Sequence, residues 1–499
     1  MNKKIRQLAF GLMACFLLLF GAMNYWQVAR ESEINAMADN TRAIRRAFGS
    51  PRGEILSYDG RVVARSDATA AESTFPYQRV YPEGELFANV TGYYTFPFGS
   101  TLVERTMDDV LRGDTARQRI GNLEDIVSRG DGTGSVRLTI DYELQRLADQ
   151  LLEGRDGSVV LIDTRTGAVR AMYSEPSYDP NLVATLDFDA AGLALEQLVE
   201  ADGNPLLANA YQDRFMPGST FKLLTTSIAL EAGLISMESS WPVETEWVPP
   251  QTDNPIQNYG GEDCGGTLLE VFSRSCNIPF ARIAVETLGV DAFRTGTEAW
   301  GVGERVPIDM PRAAASTIGD TDDLEQNLPL LAMRGFGQNE DQMVPLHMAL
   351  IAGAIANGGA MLEPYVVDAT LDSDGRALTV TEGGQQWRRP ISERTAAEMN
   401  TLMQAVATSG TASCCIALDG GIPVAAKTGT GQLNNPGEPE RSNAWIVAFA
   451  PADQPRYAVA VALLGTSAEV SASTGGRLAG PIAREMLNAA FREEGGWPS

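Results

Sequence analysis

Lysine is scarce in this chain of 499 residues, since only four of its 39 basic side chains are lysines. Two of the four lie in the N-terminal leader, and the other two are Lys222 and Lys427. Residues 219–222 read Ser-Thr-Phe-Lys and residues 427–430 read Lys-Thr-Gly-Thr, so hydroxyl side chains lie near both lysines. A buried amine can lose its proton, whereas a guanidinium stays protonated. The pattern is typical of a serine acyl-transfer site.

Histidine is scarcer still, because His347 is the only one in the chain. A metal site built from several histidines is therefore excluded, and a Ser-His-Asp triad could use only this residue. His347 lies where the pattern predicts the start of an apolar helix, which favours a structural role. We therefore expect another base. Lys222 is the natural candidate, because residues i and i+3 share a helix face and Ser219 lies three residues earlier.

Positive charge is also limited, and the formal net charge is -25 at pH 7. This balance excludes a general nucleic-acid binder, and no basic run offsets it. No lysine follows a glycine, so the chain has no P-loop. We expect no metal, no other cofactor and no nucleic-acid partner.

One long apolar run lies near the N-terminus, from Leu8 to Trp26, after Lys3, Lys4 and Arg6. Its length predicts a membrane-spanning helix over residues 8–28, and the preceding charges place residues 1–7 in the cytoplasm. A cleavable signal peptide is the alternative, but its apolar core should be shorter. We expect a single-pass protein of the cell membrane with its catalytic domain outside the cytoplasm.

Cysteine is rare, with five in the chain. Cys15 lies in the apolar run, and the other four, Cys264, Cys276, Cys414 and Cys415, allow three pairings. A Cys264–Cys276 bridge is the preferred hypothesis, because a bond between adjacent cysteines would strain the local peptide. Four free thiols are the alternative, and the sequence leaves the state of the adjacent pair open.

The remaining pattern divides the chain into a mixed segment at 29–155, a larger domain at 156–492 and a tail at 493–499. Strand-like runs lie near both ends of the larger domain, with helices between them, which predicts an antiparallel sheet packed against helices. A helix buried nearly all round is predicted over residues 219–234, and dehydration there should lower the pKa of Lys222. A capping-box pattern predicts a short helix at 267–274, directly before Ser275.

Three signatures in this order, Ser-x-x-Lys at 219–222, Ser-x-Asn at 275–277 and Lys-Thr-Gly-Thr at 427–430, resemble those of the penicillin-recognising serine acyltransferases. That group comprises penicillin-binding proteins and serine β-lactamases. Further stretches look like the class B transpeptidases, closest to the penicillin-binding protein A group of actinobacteria. In the larger domain these stretches are 216–222, 335–338, 345–346 and Trp445. The stretches that resemble the non-catalytic pedestal of that class are 52–55, Gly60, 138–141 and 144–145. His347 departs from the glutamine usual there.

The resemblance implies an α+β fold: a serine β-lactamase-like transpeptidase domain with an antiparallel sheet and helices, preceded by a membrane helix and a small mixed pedestal. It also implies roles for individual residues. Ser219 would be the nucleophile and Lys222 its base, and Ser275 would return a proton to the leaving group. The implied substrate-binding residues are Asn277, which would also orient Lys222, and Lys427, Thr428, Gly429 and Thr430.

These roles imply a peptidoglycan D,D-transpeptidase that cross-links stem peptides on nascent glycan strands and is inhibited by β-lactams. Lys427 would serve as a fixed cation, and Gly429 would let the substrate backbone approach the strand edge. Division proteins and a polytopic membrane glycosyltransferase are the implied partners. The alternatives are a D,D-carboxypeptidase, and a non-enzymatic β-lactam sensor or division scaffold on the same fold.

Overall fold

The computed structural model describes residues 3–25, 48–71, 73–115, 118, 132–434 and 438–493. The chain divides into two compact units, one of Met1–Pro51 with Asp67–Gln78 and the other of Arg52–Ser66 with Arg79–Ser499. The first unit contains the helix Lys3–Asn24. A search of the described residues finds no helix of the length and apolar character that a bilayer span requires. Residues 26–28 of the predicted span lie outside the described part, so the span stays a prediction.

The second unit contains a five-stranded antiparallel sheet, called here the central sheet. Its strands are almost entirely buried, because helices cover both faces and leave no polar face to alternate with the apolar one. Tyr457 packs its ring on Phe491 of the C-terminal helix, whereas Ile162 lies on the opposite face, near Gly353. In spatial order the strands are Ala425–Gln432, Ser442–Ala450, Tyr457–Leu463, Gly157–Asp163 and Val169–Glu175.

A second sheet joins the N-terminal part of this unit to a later part of the chain. The strand Ser135–Leu138 pairs in parallel with Ile55–Leu56 on one side and antiparallel with Val367–Leu371 on the other. The segment 29–155, predicted as a pedestal, therefore shares a sheet with the segment predicted as the transpeptidase domain. The other strands are Val62–Ala68, Tyr77–Val80, Tyr94–Thr95, Gly99–Ser100, Ser240–Glu244, Glu246–Trp247, Ile256–Gln257, Cys264–Thr267, Met361–Leu362, Ala377–Val380 and Gln386–Arg388.

Helices fill the space around the two sheets. The helix Tyr142–Leu152 is capped by the Asp141 carboxylate, which accepts from the backbone N–H groups of Glu143 and Leu144. Together with Lys3–Asn24 the described α-helices are Ala88–Thr91, Leu102–Thr106, Asp108–Arg112, Tyr142–Leu152, Asn181–Ala184, Phe188–Glu200, Lys222–Glu231, Leu268–Ser273, Ile278–Arg282, Gly289–Ala299, Leu328–Arg334, Pro345–Ala356, Glu393–Thr408, Ala468–Ser471 and Gly475–Glu493.

Arg52 belongs to a buried charge cluster near the start of the second unit. Glu104 is fully buried and accepts from Arg52 and from Arg79, at 2.5 and 2.6 Å. Burial alone would raise the pKa of Glu104, but the two guanidinium groups lower it below its ordinary value and keep the carboxylate charged. The cluster explains why an arginine lies at position 52: removing one member would leave an uncompensated buried charge.

Candidate active site

Ser219 lies in a tight turn rather than in a regular helix. The segment Gly218–Phe221 is a 3₁₀-helix, and the α-helix runs from Lys222 to Glu231, three residues short of the predicted end at 234. Side chains at i and i+3 eclipse in a 3₁₀-helix, so Ser219 and Lys222 lie on one side of the turn. Ser219 is half-buried, and within the described part of the chain its hydroxyl has no hydrogen-bond partner.

Lys222 is fully buried at the centre of the site. Its Nζ donates to the backbone oxygen of Ser275 at 2.8 Å and to Asn277 Oδ1 at 2.9 Å, and it lies 3.4 Å from Ser275 Oγ. Burial lowers the pKa of Lys222 well below its ordinary value, and the nearby charge of Lys427 lowers it further. The neutral amine that a general base requires is therefore favoured.

Ser275 follows the predicted short helix, which the structure confirms as Leu268–Ser273 with a capping box between Thr267 and Glu270. Ser275 has φ of 59°, a left-handed conformation that non-glycine residues rarely adopt. Such strain is typical of functional sites, where the surrounding structure imposes it. The backbone here places Ser275 Oγ 2.8 Å from Lys427 Nζ, while Lys222 Nζ lies 3.4 Å from the same oxygen.

Lys427 is buried as completely as Lys222. Its Nζ donates to Ser275 Oγ at 2.8 Å and to the backbone oxygen of Thr428 at 3.1 Å. Burial lowers the pKa of Lys427 to about 7. The role of Lys427 as a fixed cation stays a prediction, and burial works against it by favouring the neutral amine.

The strand Ala425–Gln432 lies directly against the turn that carries Ser219. A Cβ added at Gly429 would lie 2.4 Å from the Pro217 oxygen and 2.9 Å from the Thr220 nitrogen, and one added at Gly218 would lie 2.2 Å from the Thr430 oxygen. The predicted reason for Gly429, room for the substrate backbone, stays a prediction, and the structure adds a second reason. Its missing side chain makes room for the nucleophile turn.

The two threonines of the 427–430 motif have different surroundings. Thr428 Oγ1 lies 2.6 Å from Thr411 Oγ1, a bond that leaves its hydroxyl with capacity for two more partners. Thr430 is half-buried, and its backbone oxygen accepts from Gln338 Nε2 at 3.1 Å. The structure therefore brings the predicted site residues together on one short turn, one loop and one strand.

Two side chains in this arrangement carry no signal in the sequence. Thr411 bonds Thr428 from the segment after the helix Glu393–Thr408, and Asn258 bonds the backbone of Asn277 from 19 residues upstream. Neither belongs to a recognisable motif, because their partners are set by tertiary packing. Only the position of Asn258 before a Gly-Gly turn could have drawn attention to it.

The four cysteines beyond the N-terminal apolar run form two disulfides in the structure. Cys264 and Cys276 form a disulfide with Cα atoms 5.7 Å apart, which confirms the bridge preferred from the sequence. Cys414 and Cys415 are also joined, although the sequence argument disfavoured a bond between neighbours. Cys15 is free.

His347 has the structural role that its apolar setting predicts. It is fully buried, with Nδ1 2.9 Å from Ser316 Oγ and Nε2 2.9 Å from the Trp300 backbone oxygen. Nε2–H must donate to that carbonyl, so Nδ1 accepts from the serine hydroxyl. Burial lowers the pKa of His347 to about 4, which keeps the ring neutral. Within the described residues no cluster of histidine, cysteine or carboxylate side chains could hold a metal ion.

Comparison with known proteins gives two family matches. Residues 157–488 match the penicillin-binding protein transpeptidase domain, and residues 52–136 match the penicillin-binding protein A dimerisation domain. The peptidoglycan D,D-transpeptidase PbpA of Mycolicibacterium smegmatis is 35% identical over 99% of this chain and all of its own length. PbpA of Mycobacterium tuberculosis is 34% identical over the same shares. A solved structure of penicillin-binding protein A from M. tuberculosis, a ceftriaxone acyl-enzyme complex, superposes with a TM-score of 0.82 at 32% identity, covering 90% of this chain and 100% of that one.

Proposed function

Because the chain belongs to the penicillin-binding proteins, with a dimerisation and a transpeptidase domain of the class B type, we propose that it cross-links peptidoglycan as a D,D-transpeptidase and is a target of β-lactams. The observation that carries the proposal is the buried Lys222 amine, one turn after Ser219 and bonded to Ser275 and Asn277. The substrates are the stem peptides of nascent glycan strands.

Acylation begins at Ser219. Its Oγ attacks the carbonyl carbon of the penultimate D-alanine, and Lys222 takes the hydroxyl proton through its neutral amine. As the tetrahedral intermediate collapses, the peptide bond breaks and the terminal D-alanine leaves. Ser275 Oγ, which lies between the two lysine amines, passes the proton from Lys222 to the leaving nitrogen. An amine from a second stem peptide then attacks the ester carbonyl, which forms the cross-link and restores Ser219.

Backbone N–H groups of Ser219 and Thr430 supply the oxyanion hole in this proposal. The close approach of Gly218 to the Thr430 oxygen supports it, because that contact holds the nucleophile turn against the strand. Donors fixed in this way stabilise the developing oxyanion without reorganisation during the reaction.

The terminal carboxylate of the donor peptide binds near Lys427, Thr428 and Thr430. An anion beside Lys427 raises the pKa of that amine, so the substrate draws the lysine into its charged form. Lys427 then acts as a cation induced by its ligand. Selectivity for a free carboxylate follows, since a neutral peptide end would not promote protonation.

The nucleophile is tested by labelling the full-length protein with a fluorescent penicillin and mapping the modified residue. We expect the label on Ser219 and no label in Ser219→Ala. Arg214→Ala, an exposed change on the same segment, serves as the control that should label normally. Label on another residue, or label that persists in Ser219→Ala, contradicts the assignment.

The reaction is tested by mass spectrometry of the product formed from a donor pentapeptide with and without an amine acceptor. A dimer that requires both the acceptor and Ser219 supports transpeptidation. Release of D-alanine to give only the tetrapeptide would indicate the D,D-carboxypeptidase. Labelling with penicillin but no turnover of any peptide would indicate the sensor or scaffold.

We further propose that residues 8–28 anchor the protein in the cell membrane, with residues 1–7 in the cytoplasm and the catalytic domain outside. The apolar side chains of the helix Lys3–Asn24 support this, since Phe16 and Leu18 are exposed along it. Division proteins and a polytopic glycosyltransferase that polymerises glycan are the proposed partners. Replacing residues 8–26 with an unrelated apolar helix tests the segment: unchanged co-purification with the polymerase would show that it only anchors the protein.

A further inference from the structure

Asn258 is a buried amide beside the active site, with all four of its hydrogen-bonding positions occupied. It is 5% exposed. Its Nδ2 donates to the backbone oxygens of Glu244 at 2.9 Å and Glu262 at 3.2 Å. Its Oδ1 accepts from the backbone nitrogens of Asn277 at 2.9 Å and Ile278 at 3.2 Å. An amide offers two donors and two acceptor lone pairs, so Asn258 uses its whole capacity.

The two accepted bonds cap a helix that cannot cap itself. The helix Ile278–Arg282 begins after Asn277, whose side chain makes no capping bond. Pro279 has no N–H, and the Phe280 N–H is already bonded to the Asn277 oxygen. The open donors at this helix start are therefore those of Asn277 and Ile278, and Asn258 accepts from both. An asparagine normally caps the helix that it precedes; here the capping is done from another segment.

Because Asn258 caps this helix, the side chain of Asn277 is free to bond Lys222. Asn277 Oδ1 accepts from Lys222 Nζ at 2.9 Å, while its Nδ2 donates to the Gln257 backbone oxygen at 3.1 Å. The residue before Asn258 thus fixes the rotation of the Asn277 amide, and Asn258 fixes its backbone. The Cys264–Cys276 disulfide joins the same two segments a few residues away.

We propose that Asn258 is a positioning residue for the lysine base, acting on Lys222 through Asn277. The proposal rests on the proposed role of Lys222 in acylation. A side chain at position 258 that cannot accept the two bonds leaves the helix start uncapped, and Asn277 then turns towards its own helix and away from Lys222. The base loses a partner that holds it beside Ser219.

The test is the rate constant of acylation of the full-length protein by a fluorescent penicillin, measured from pH 5 to 9. Asn258→Leu has nearly the same volume and loses all four bonds. We expect acylation to slow by about 10- to 100-fold, since a misplacement of about 1 Å can cost that much. Asn254→Leu, an exposed change in the same segment, is the matched control and should stay within about twofold of wild type.

A double-mutant cycle separates positioning from a general loss of structure. If Asn258 acts through Asn277, Asn258→Leu should have no further effect on acylation in an Asn277→Ala background. An equal loss in both backgrounds overturns the proposal. Labelling of wild-type Ser219 is measured in the same series, so failure of the proposed function is seen as unlabelled wild type, whereas failure of this inference leaves wild type labelled.

Asn258→Asp gives a second measurement if the leucine variant does not fold. The carboxylate can keep both accepted bonds, loses the two donated bonds, and adds a negative charge beside Asn277, the partner of Lys222, which favours the ammonium form of that lysine. We expect the rising limb of the acylation profile to move to higher pH, with the maximal rate kept within about tenfold of wild type. A profile that coincides with that of wild type overturns the proposal, because a change at position 258 would then have no effect on Lys222.

Discussion

At the residue scale, two buried amines share one serine hydroxyl, and their chemistry differs. In the proposed mechanism Lys222 accepts a proton as a neutral amine, whereas Lys427 binds a carboxylate as a cation. Lys222 has two oxygen partners besides that hydroxyl, and Lys427 has one, so both can exist without a counter-ion in the empty site. The proposed mechanism therefore needs one neutral and one charged amine beside the same hydroxyl.

The first prediction separates the two lysines. Lys222→Arg should reduce acylation by about 100- to 10,000-fold, the usual contribution of a general base, because a guanidinium does not deprotonate. Lys427→Arg keeps a cation and should retain more activity. Acylation rates of the two variants with one penicillin check this, and equal loss would show that the roles are not separable.

The second prediction concerns the stability cost of burying Lys427. Its folded pKa of about 7 lies below the ordinary unfolded value, so the unfolded chain binds more protons between those values. Stability therefore rises with pH across that window and falls as pH drops towards 7. Lys427→Met removes the effect, so it should unfold at a higher urea concentration than wild type at pH 6, with a smaller difference at pH 9.5. An advantage that is the same at both pH values contradicts this.

The third prediction concerns His347. Its folded pKa of about 4 is depressed, so its contribution to stability is complete above the unfolded value near 6.5 and is lost as pH falls to about 4. His347→Gln keeps one of the two bonds and cannot titrate. We expect it to lose about 1 kcal/mol at pH 7.5 and to show a smaller decrease from pH 7.5 to 5. Thermal melts at both pH values measure the difference.

At the element scale, the strand Ala425–Gln432 and the turn Gly218–Phe221 form the site by close backbone approach. Gly429→Ala would place a methyl group 2.4 Å from the Pro217 oxygen and displace the turn. We expect a loss of about 1–3 kcal/mol in the free energy of unfolding. Acylation should slow by about 100-fold, because Ser219 moves.

The control for that change is Gly192→Ala. A Cβ there meets nothing nearer than 3.9 Å, at the Phe98 ring, and the residue lies within the helix Phe188–Glu200. Alanine favours a helix over glycine by about 1 kcal/mol, so this variant should be at least as stable as wild type and acylate normally. Equal damage from the two substitutions would show that the tight contact at Gly429 does not set the geometry of the site.

Elements with a local signal were predictable from the sequence, and those set by tertiary contact were not. The capping box between Thr267 and Glu270 depends on neighbours in sequence, and the structure confirms it. The contact behind Gly429 and the four bonds of Asn258 join residues far apart in the chain. No periodicity or spacing encodes such pairs.

At the scale of the whole molecule, the second sheet ties the N-terminal half to the C-terminal half. Leu138 pairs with Val367, and Arg137 forms an ion pair with Asp368 at 2.6 Å. The helix Tyr142–Leu152 continues this contact, since Gln145 exchanges two hydrogen bonds of 2.9 Å with the Met172 backbone. The predicted boundary at residue 155 therefore separates segments that share a sheet and hydrogen bonds.

The final prediction follows from that arrangement. A fragment of residues 156–493 loses the partner of Val367–Leu371 and exposes a sheet edge, which favours aggregation. It also loses the helix whose Leu144 and Leu152 are buried, worth about 1.5–3 kcal/mol each, against a total stability of about 5–15 kcal/mol. A fragment of residues 132–493 keeps both elements and is the matched control. We expect the longer fragment to be soluble and labelled by fluorescent penicillin at Ser219, and the shorter one to be insoluble or unlabelled. If both label equally well, the segment 132–155 is dispensable and the transpeptidase domain folds from residue 156 alone.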